Sequence, residues 1–584
     1  MGLKHSIYGT AEPYDRFLKY DETPACQVFR DFTGGMGTDT LALLLNARTE
    51  RGNLSSVCAP KDAVFENGFA EGAVKNICYA DGVLLFRKGT ALYAHKNGVF
   101  SVVTEEMLSE DGEIYDHDGR FYIVDSERIL CLDRDLHMEE IEQDVPLCFR
   151  DVSRSGAYYT EVAPMNPFCR FIDITLSDEA GDEQKFPLSF AIDPTYARAW
   201  HKDGREVYPG YLILREDRVI FDGDHAAGCR LRLRLLDAED EDTVYSFSDT
   251  ASYREMLARP QRTELVSLSG GKTMLLIAKG RELFGVILGD LGFGAHNADA
   301  VLRYDCLAEI TGLVPFDDGY LLFFEDAVKK LSIEEKSGEV CFAVTTLKGD
   351  FGSDMPGSIA LFDDKIVFAS SKGGVSCIDR FGVSEKIGCR RISANIEHGE
   401  YGFFSHEEDA YRKASAFAAV GDYYLTVGDI TYVWDYRAAL PTTAQTHRDE
   451  ANMVWHIRDT VKAERYLAFL EDRLYYTERG TGMLRYISRE GSDSASLIKT
   501  AETDLGQLSE KTLIECGICY RAEKPVSLSI ICDGKEHLTE YIFPAADTWE
   551  TRSVRIYGKR FLYAALALAC EGKMEIDAFF FRYL

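Results

Sequence analysis

Asp81–His95 reads DGVLLFRKGTALYAH: an Asp-Gly turn, an apolar run, a second short turn at Lys88-Gly89-Thr90, and another apolar run. Two short apolar runs joined by such a turn form a β-hairpin. The arrangement returns as DGRFYIVDSERILCL from Asp118, GGKTMLLIAKGRELFGVIL from Gly270 and DDGYLLFFEDAVKKL from Asp317. It continues as DDKIVFASSKGGVSCI from Asp363, GDYYLTVGDITYVWDY from Gly421 and EDRLYYTERGTGMLRYI from Glu471. Repeats about 40–50 residues apart mark a β-propeller, in which each repeat supplies one four-stranded blade. A propeller is a scaffold that hosts many functions, so the repeats alone name no activity.

The spacing of the repeats locates the rest of the chain. The starts lie 37 residues apart from Asp81 to Asp118, and 47, 46, 58 and 50 apart from Gly270 onward. Between Asp118 and Gly270 there are roughly a hundred residues too many for one blade. An inserted domain is therefore expected over residues 147–252. Its runs CRFIDITLS, KFPLSFAI, EVYPGYLIL, RVIFDGD and CRLRLRLLD alternate between turns, which predicts a small β-sandwich or barrel. The expected domains are an extended N-terminal arm (1–60), first blades (61–146), the insertion (147–252), remaining blades (253–500) and a C-terminal β-sandwich (505–584). The fold class is all-β: a β-propeller of six to eight blades with an inserted β-sandwich or barrel and a C-terminal β-sandwich. Pro13–Pro60 shows little alternation. It reads either as an arm ordered on neighbouring molecules or as a lead-in that adds a strand to the last blade.

Composition narrows the function. At 584 residues the chain exceeds a single core. Its 96 Asp and Glu against 65 Lys and Arg give a net charge of −31, which opposes non-specific nucleic-acid binding. The acids are spread through turns such as AEDEDT near Glu239 and SHEEDAY near His406, where a solvated face explains them better than a calcium loop. No apolar run reaches transmembrane length; YAALALAC near Ala564 is too short. No secretory signal is expected, because Met1–Tyr20 is polar. The opening Met1-Gly2-Leu3-Lys4-His5-Ser6 fits an N-myristoylation pattern that short sequences match by chance. The 15 cysteines lack a paired framework and read as reduced, apolar core residues. Cys516-Gly517-Ile518-Cys519 has no second pair to complete a zinc site, and in a strand its thiols point to opposite faces.

Catalytic motifs fail one by one. Gly271-Lys272-Thr273 ends like a phosphate-binding loop, but Val266 stands where the required glycine belongs. His406-Glu407 lacks the second histidine of a zinc protease, since Ala410 occupies that place. The acidic pairs Asp317-Asp318 and Asp363-Asp364 recur at matching points of the repeat, so turn chemistry accounts for them. The reading is of a protein that is not an enzyme, with no catalytic, cofactor-binding or metal site residues and no cofactor.

The order of several segments resembles the propeller-containing structural proteins of tailed bacteriophages: the tail-hub, nozzle or stabilisation proteins of the neck and short tail. VFRDFTGGMGTD from Val28, with Asn53-Leu54 after it, is similar to the family's opening segment. ALYAHKNGVFSVV, the inserted RVIFDGDHAAGCRLRLRLL and GLVPFDDGYLLFFEDAVKKLS follow in the family's order. So do FGSDMPGSIALFDDKIVFASSKGGVSCI, KASAFAAVGDYYLTVGDITYVWDY and EKTLIECGICYRAEKPVSLSIICDG, with Arg560-Phe561 and the closing FFFRYL. The chain departs from the pattern at Gly352-Ser353-Asp354, where relatives usually carry Gly-Cys. The resemblance implies a non-enzymatic virion structural protein of a tailed phage or prophage, within the head–tail connector, tail hub or nozzle through which DNA passes. It implies a homo-oligomeric ring contacting neighbouring portal, adaptor or tail proteins. DNA would pass transiently without specific binding, with no membrane anchor, in a virion assembled in the bacterial cytoplasm. The alternative is a receptor- or carbohydrate-binding virion protein using sandwich loops near Trp549. A polysaccharide-acting propeller enzyme would need facing carboxylates at the channel mouth.

Overall fold

The computed structural model describes residues 25–584 except 31–40, 51–52, 64–73, 98, 109–113, 118, 126–127, 141–146, 159, 163–170, 179–182, 186–191, 216–217, 222–226, 236–261, 269–272, 290–291, 296–300, 337–338, 348–350, 363, 382–385, 437–453, 471 and 489–492. Contacts divide the chain into two compact units, Phe69–Lys348 and Met1–Gly68 with Gly349–Leu584. The fold is all-β, a β-propeller with sandwich additions, and seven four-stranded antiparallel blades are present among the described residues.

The Phe69–Lys348 unit holds four blades. Blade 1 is Val74–Ala80, Val83–Lys88, Ala91–Lys96 and Val99–Thr104, and blade 2 is Ile114–His117, Arg120–Asp125, Arg128–Leu132 and Met138–Glu140. The turn that opens the repeat places Asp81 at φ 49° and Gly82 at φ 79°. Both are left-handed, the combination whose twist matches a tight hairpin. Val83, Leu85, Ala94, Phe121 and Leu132 then share one core between blades 1 and 2. Below it Arg87 and Asp125, both fully buried, form an ion pair of 3.1 Å, and Asp125 also accepts the Leu108 amide at 2.9 Å. Blade 3 is built from Arg262–Ser267, Thr273–Lys279, Glu282–Gly289 and Val301–Asp305, and blade 4 from Gly312–Phe316, Gly319–Phe323, Val328–Lys336 and Glu339–Thr346.

Between blades 2 and 3 the insertion forms two sheets. One runs in the order Thr160–Val162, Leu147–Val152, Phe171–Leu176, Arg230–Leu235, Ile192–Trp200; the other is Glu183–Lys185, Arg218–Phe221, Leu212–Arg215. Val152, Ile174, Ala199, Val219, Phe221 and Leu231 meet in one core, so the insertion is a small sandwich.

The second unit carries blade 5 (Ala360–Phe362, Lys365–Ser370, Gly374–Phe381, Lys386–Arg391) and blade 6 (Ser415–Ala419, Asp422–Val427, Ile430–Asp435, Trp455–Arg458). Blade 7 takes Ala463–Leu470, Arg473–Glu478 and Leu484–Ser488 from late in the chain. Its fourth strand is Lys61–Asp62, paired with Arg485 and Tyr486. The last blade is thus closed by a strand that precedes the first; Lys61–Asp62 lies just beyond Pro13–Pro60, the segment read as an arm or a lead-in, and within the stretch expected to begin the first blades.

The segment expected as an extended arm supplies further strands. Leu41–Leu45 lies between Trp455–Arg458 of blade 6 and Ser496–Thr500, so the blade's sheet continues through Ala564–Cys570 and Val526–Cys532 to Lys535–Phe543, nine strands in all. Ala25–Phe29, Ala47–Glu50 and Asn53–Ser56 join Met574–Tyr583, Lys511–Ala522 and Ala546–Phe561 in the opposing sheet. Leu44, Leu54, Cys516, Ile518, Leu528, Leu566 and Phe581 fill the space between them. The C-terminal sandwich is therefore made from both ends of the sequence. Gly517 sits where only hydrogen fits: a Cβ there would lie 2.3 Å from the Arg552 carbonyl oxygen. No helix among the described residues is long and apolar enough to cross a membrane.

Candidate functional site

The connector from blade 5 to blade 6, Ile392–Ala414, carries the helix Glu408–Arg412. Phe403 and Tyr411 anchor it in the core, and the Tyr411 hydroxyl donates to the Phe403 carbonyl at 2.7 Å. Tyr432 donates its hydroxyl proton to the Tyr401 carbonyl at 2.9 Å. Its oxygen must then accept from His406 Nε2, 2.8 Å away, which sets the imidazole tautomer. Burial, helped by Arg479, holds the His406 pKa below its ordinary value. Ser371, Lys372, Phe404, His406, Glu408 and Tyr411 line an open cleft beside this network. The Ser371 hydroxyl is tied to Asp354, and the Glu408 carboxylate to Arg412 at 2.7 Å. With its imidazole and carboxylate already engaged, the cleft offers polar and aromatic contact rather than an acid–base pair.

The sequence candidates fall in separate places. Thr273 begins a strand of blade 3, not a helix, so it cannot open a phosphate site; Gly271 and Lys272 lie outside the described residues. Asp317 stands in a hairpin turn at φ 59°, and Asp318 and Asp317 both pair with Lys330. Asp364 pairs with Lys365, while Asp363 lies outside the described residues, as does AEDEDT. In SHEEDAY, Glu408 and Asp409 form i,i+4 pairs with Arg412 and Lys413. Cys516 is buried in Lys511–Ala522 with its thiol pKa pushed well up by desolvation, and Cys519 points the other way, half-buried. No group of three or more His, Cys, Asp or Glu able to hold a metal occurs among the described residues.

Two surfaces carry aromatics with charged neighbours. Trp549 is 41% exposed and stands on the strand Ala546–Phe561 rather than in a loop. The Arg521 guanidinium lies 5.5 Å from its ring centroid and bonds to Glu575. On the insertion, the alternation Arg-Leu-Arg-Leu in Arg230–Leu235 buries Leu231 and Leu233 and sends Arg230 and Arg232 to the opposite face. There Arg198, Arg230 and Arg232 surround Trp200 at 5.4, 4.9 and 5.9 Å, and Arg198 grips Glu206 with two hydrogen bonds of 2.7 and 3.1 Å. Sequence reasoning read CRLRLRLLD only as a strand; its arginine alternation is the signal for this face.

No family model matches the chain, and no curated protein matches it. Among solved structures it is similar to the Pan2 WD40 domain of Neurospora crassa, at 6% identity and a TM-score of 0.34, over 76% of this chain and 98% of that one. It is similar to Hsv2p of Kluyveromyces lactis at 6% identity and 0.30, over 74% and 94%. AztD from Citrobacter koseri gives 9% and 0.28, over 75% and 98%. At such scores none of them bears on what this chain does.

Proposed function

We propose that this chain is a non-enzymatic structural protein of a tailed phage or prophage particle, part of the head–tail connector, tail hub or nozzle through which DNA passes. The observation that supports the reading is the nine-stranded sheet joining blade 6 to the terminal sandwich. Strands from both ends of the sequence lie in it, so a load on the sandwich is carried into a blade by backbone hydrogen bonds rather than through a linker. A part that transmits force needs such continuity; a tethered binding module does not. The net charge of −31 fits a conduit wall that repels passing DNA. Copies would close into a ring by heterologous contacts. The test is to purify particles from cells carrying the gene and quantify this chain by mass spectrometry. Recovery at a fixed small copy number per particle is expected, and particles lacking it should fail to retain DNA. Absence from particles overturns the reading.

A second reading is favoured by one observation, the exposed Trp549 beside Arg521 and Glu575. An aromatic face flanked by hydrogen-bonding groups suits a sugar ring, as a receptor- or carbohydrate-binding virion protein requires. Glycan-array binding by the purified protein that Trp549→Ala abolishes would favour it; binding unchanged by that substitution removes it.

A further inference from the structure

The five-stranded sheet of the insertion turns Leu231 and Leu233 into the core and a different set of side chains outward. The register places Trp200 opposite Arg230, and a single bridge places Glu206 on the other side of Trp200. Two residues along, Arg198 stands opposite Arg232, which the register also sets opposite Asp173. Val207 is buried, and its amide donates to the Ala199 carbonyl at 2.8 Å. Alternation therefore sends Glu206 and Tyr208 to the same outer side as Trp200. Tyr208 is 68% exposed, and Arg230 is exposed beside it on this face.

The result is a cationic, aromatic face on a chain whose net charge is −31. Its Trp, Tyr and Arg are the residue types that carry most of the binding energy at protein–protein contacts. The guanidinium groups of Arg198, Arg230 and Arg232 lie 5.4, 4.9 and 5.9 Å from the Trp200 centroid. So covered, the indole is not an open platform for stacking a base or a sugar ring. What the face presents is N–H donors, five to each guanidinium. Arg198 shows which acceptor they suit, gripping Glu206 with two hydrogen bonds of 2.7 and 3.1 Å, the fork that a carboxylate fills. Range separates the polyanions. A long one such as DNA meets the repulsion of the whole acidic surface, whereas a short acidic segment lies within about 10 Å of the arginines and feels mainly them.

We propose that the outer face of the insertion, around Trp200, docks an acidic segment of a partner protein. Its carboxylates meet Arg230 and Arg232 and its backbone lies beside Tyr208. Trp200 is the positioning residue, on which the guanidinium groups pack. This goes beyond the particle role and does not rest on it.

The test is fluorescence anisotropy of a labelled peptide of alternating glutamate and serine, titrated with the full chain. Saturable binding that weakens as salt rises is expected. Arg230→Glu should weaken it about tenfold. Trp200→Ala should weaken it as well, whereas Arg560→Glu, at an exposed arginine of the terminal sandwich, should leave it unchanged. If Trp200→Ala does not fold, Arg230→Glu, at an exposed position, decides. No saturable binding, an undiminished affinity in Arg230→Glu, an equal loss in Arg560→Glu, or tighter binding of oligothymidine or polygalacturonate than of the glutamate peptide each overturns the proposal.

Discussion

Val420 occupies the first position of the turn before Asp422–Val427 at φ 50°, followed by Gly421 at φ 85°. A β-branched residue pays heavily for left-handed backbone, whereas asparagine tolerates it. Val420→Asn is expected to stabilise the protein by about 1 kcal/mol, read as a rise in the midpoint of chemical unfolding. His406 offers a contrasting case. Its folded pKa lies below the unfolded value because burial disfavours the imidazolium. As pH falls through about 6.5 the unfolded chain takes up a proton that the native state refuses, so stability declines from there down to the folded pKa. His406→Gln should flatten that limb of a melting-temperature profile. Neither position was legible in function-directed reading of the sequence: Val420 shares a turn with Gly421 that any hairpin would use, and His406 acquires its character from Tyr432, 26 residues away.

At the scale of elements, what the sequence shows is what is local. Asp81-Gly82 and the alternating runs beside it specify a hairpin within some fifteen residues, and the blades follow from repetition. Leu41–Leu45 is the opposite case. LALLL has no alternation, and its partners Ser496–Thr500 and Trp455–Arg458 lie over four hundred residues further on. Nothing near it in the chain signals that pairing. The two-residue strand Lys61–Asp62 is too short to carry a pattern at all. Burial gives the placement of Leu41–Leu45 a consequence. Leu44 is fully buried in the sandwich, so Leu44→Ala should cost about 2–5 kcal/mol in equilibrium unfolding. A residue on a free arm would move stability by less than about 0.5 kcal/mol.

For the whole molecule, the cysteines report packing. Burial pushes the thiols of Cys78, Cys306, Cys389 and Cys532 up to about 11 and that of Cys377 to about 12, whereas Cys26 is exposed. A thiol reagent at pH 8 should modify Cys26 at once and these five only as the protein unfolds, because thiolate is the reacting species. Mass spectrometry of briefly labelled protein checks this, and rapid labelling of Cys377 would contradict the packing of blade 5. The closing of blade 7 by Lys61–Asp62 also sets a timetable. A ribosome finishing this chain at about 5–20 residues per second needs roughly 20–85 s to travel from that strand to its partner at Arg485. During that interval Leu41–Leu45 and Asn53–Ser56 have been made but their sheets have not. The blades of Phe69–Lys348 hold all their strands within that stretch and can fold while it emerges. Leu41–Leu45 and Lys61–Asp62 are thus among the last strands to find their partners, and a nascent chain halted before Arg485 leaves Lys61–Asp62 without its neighbour in blade 7.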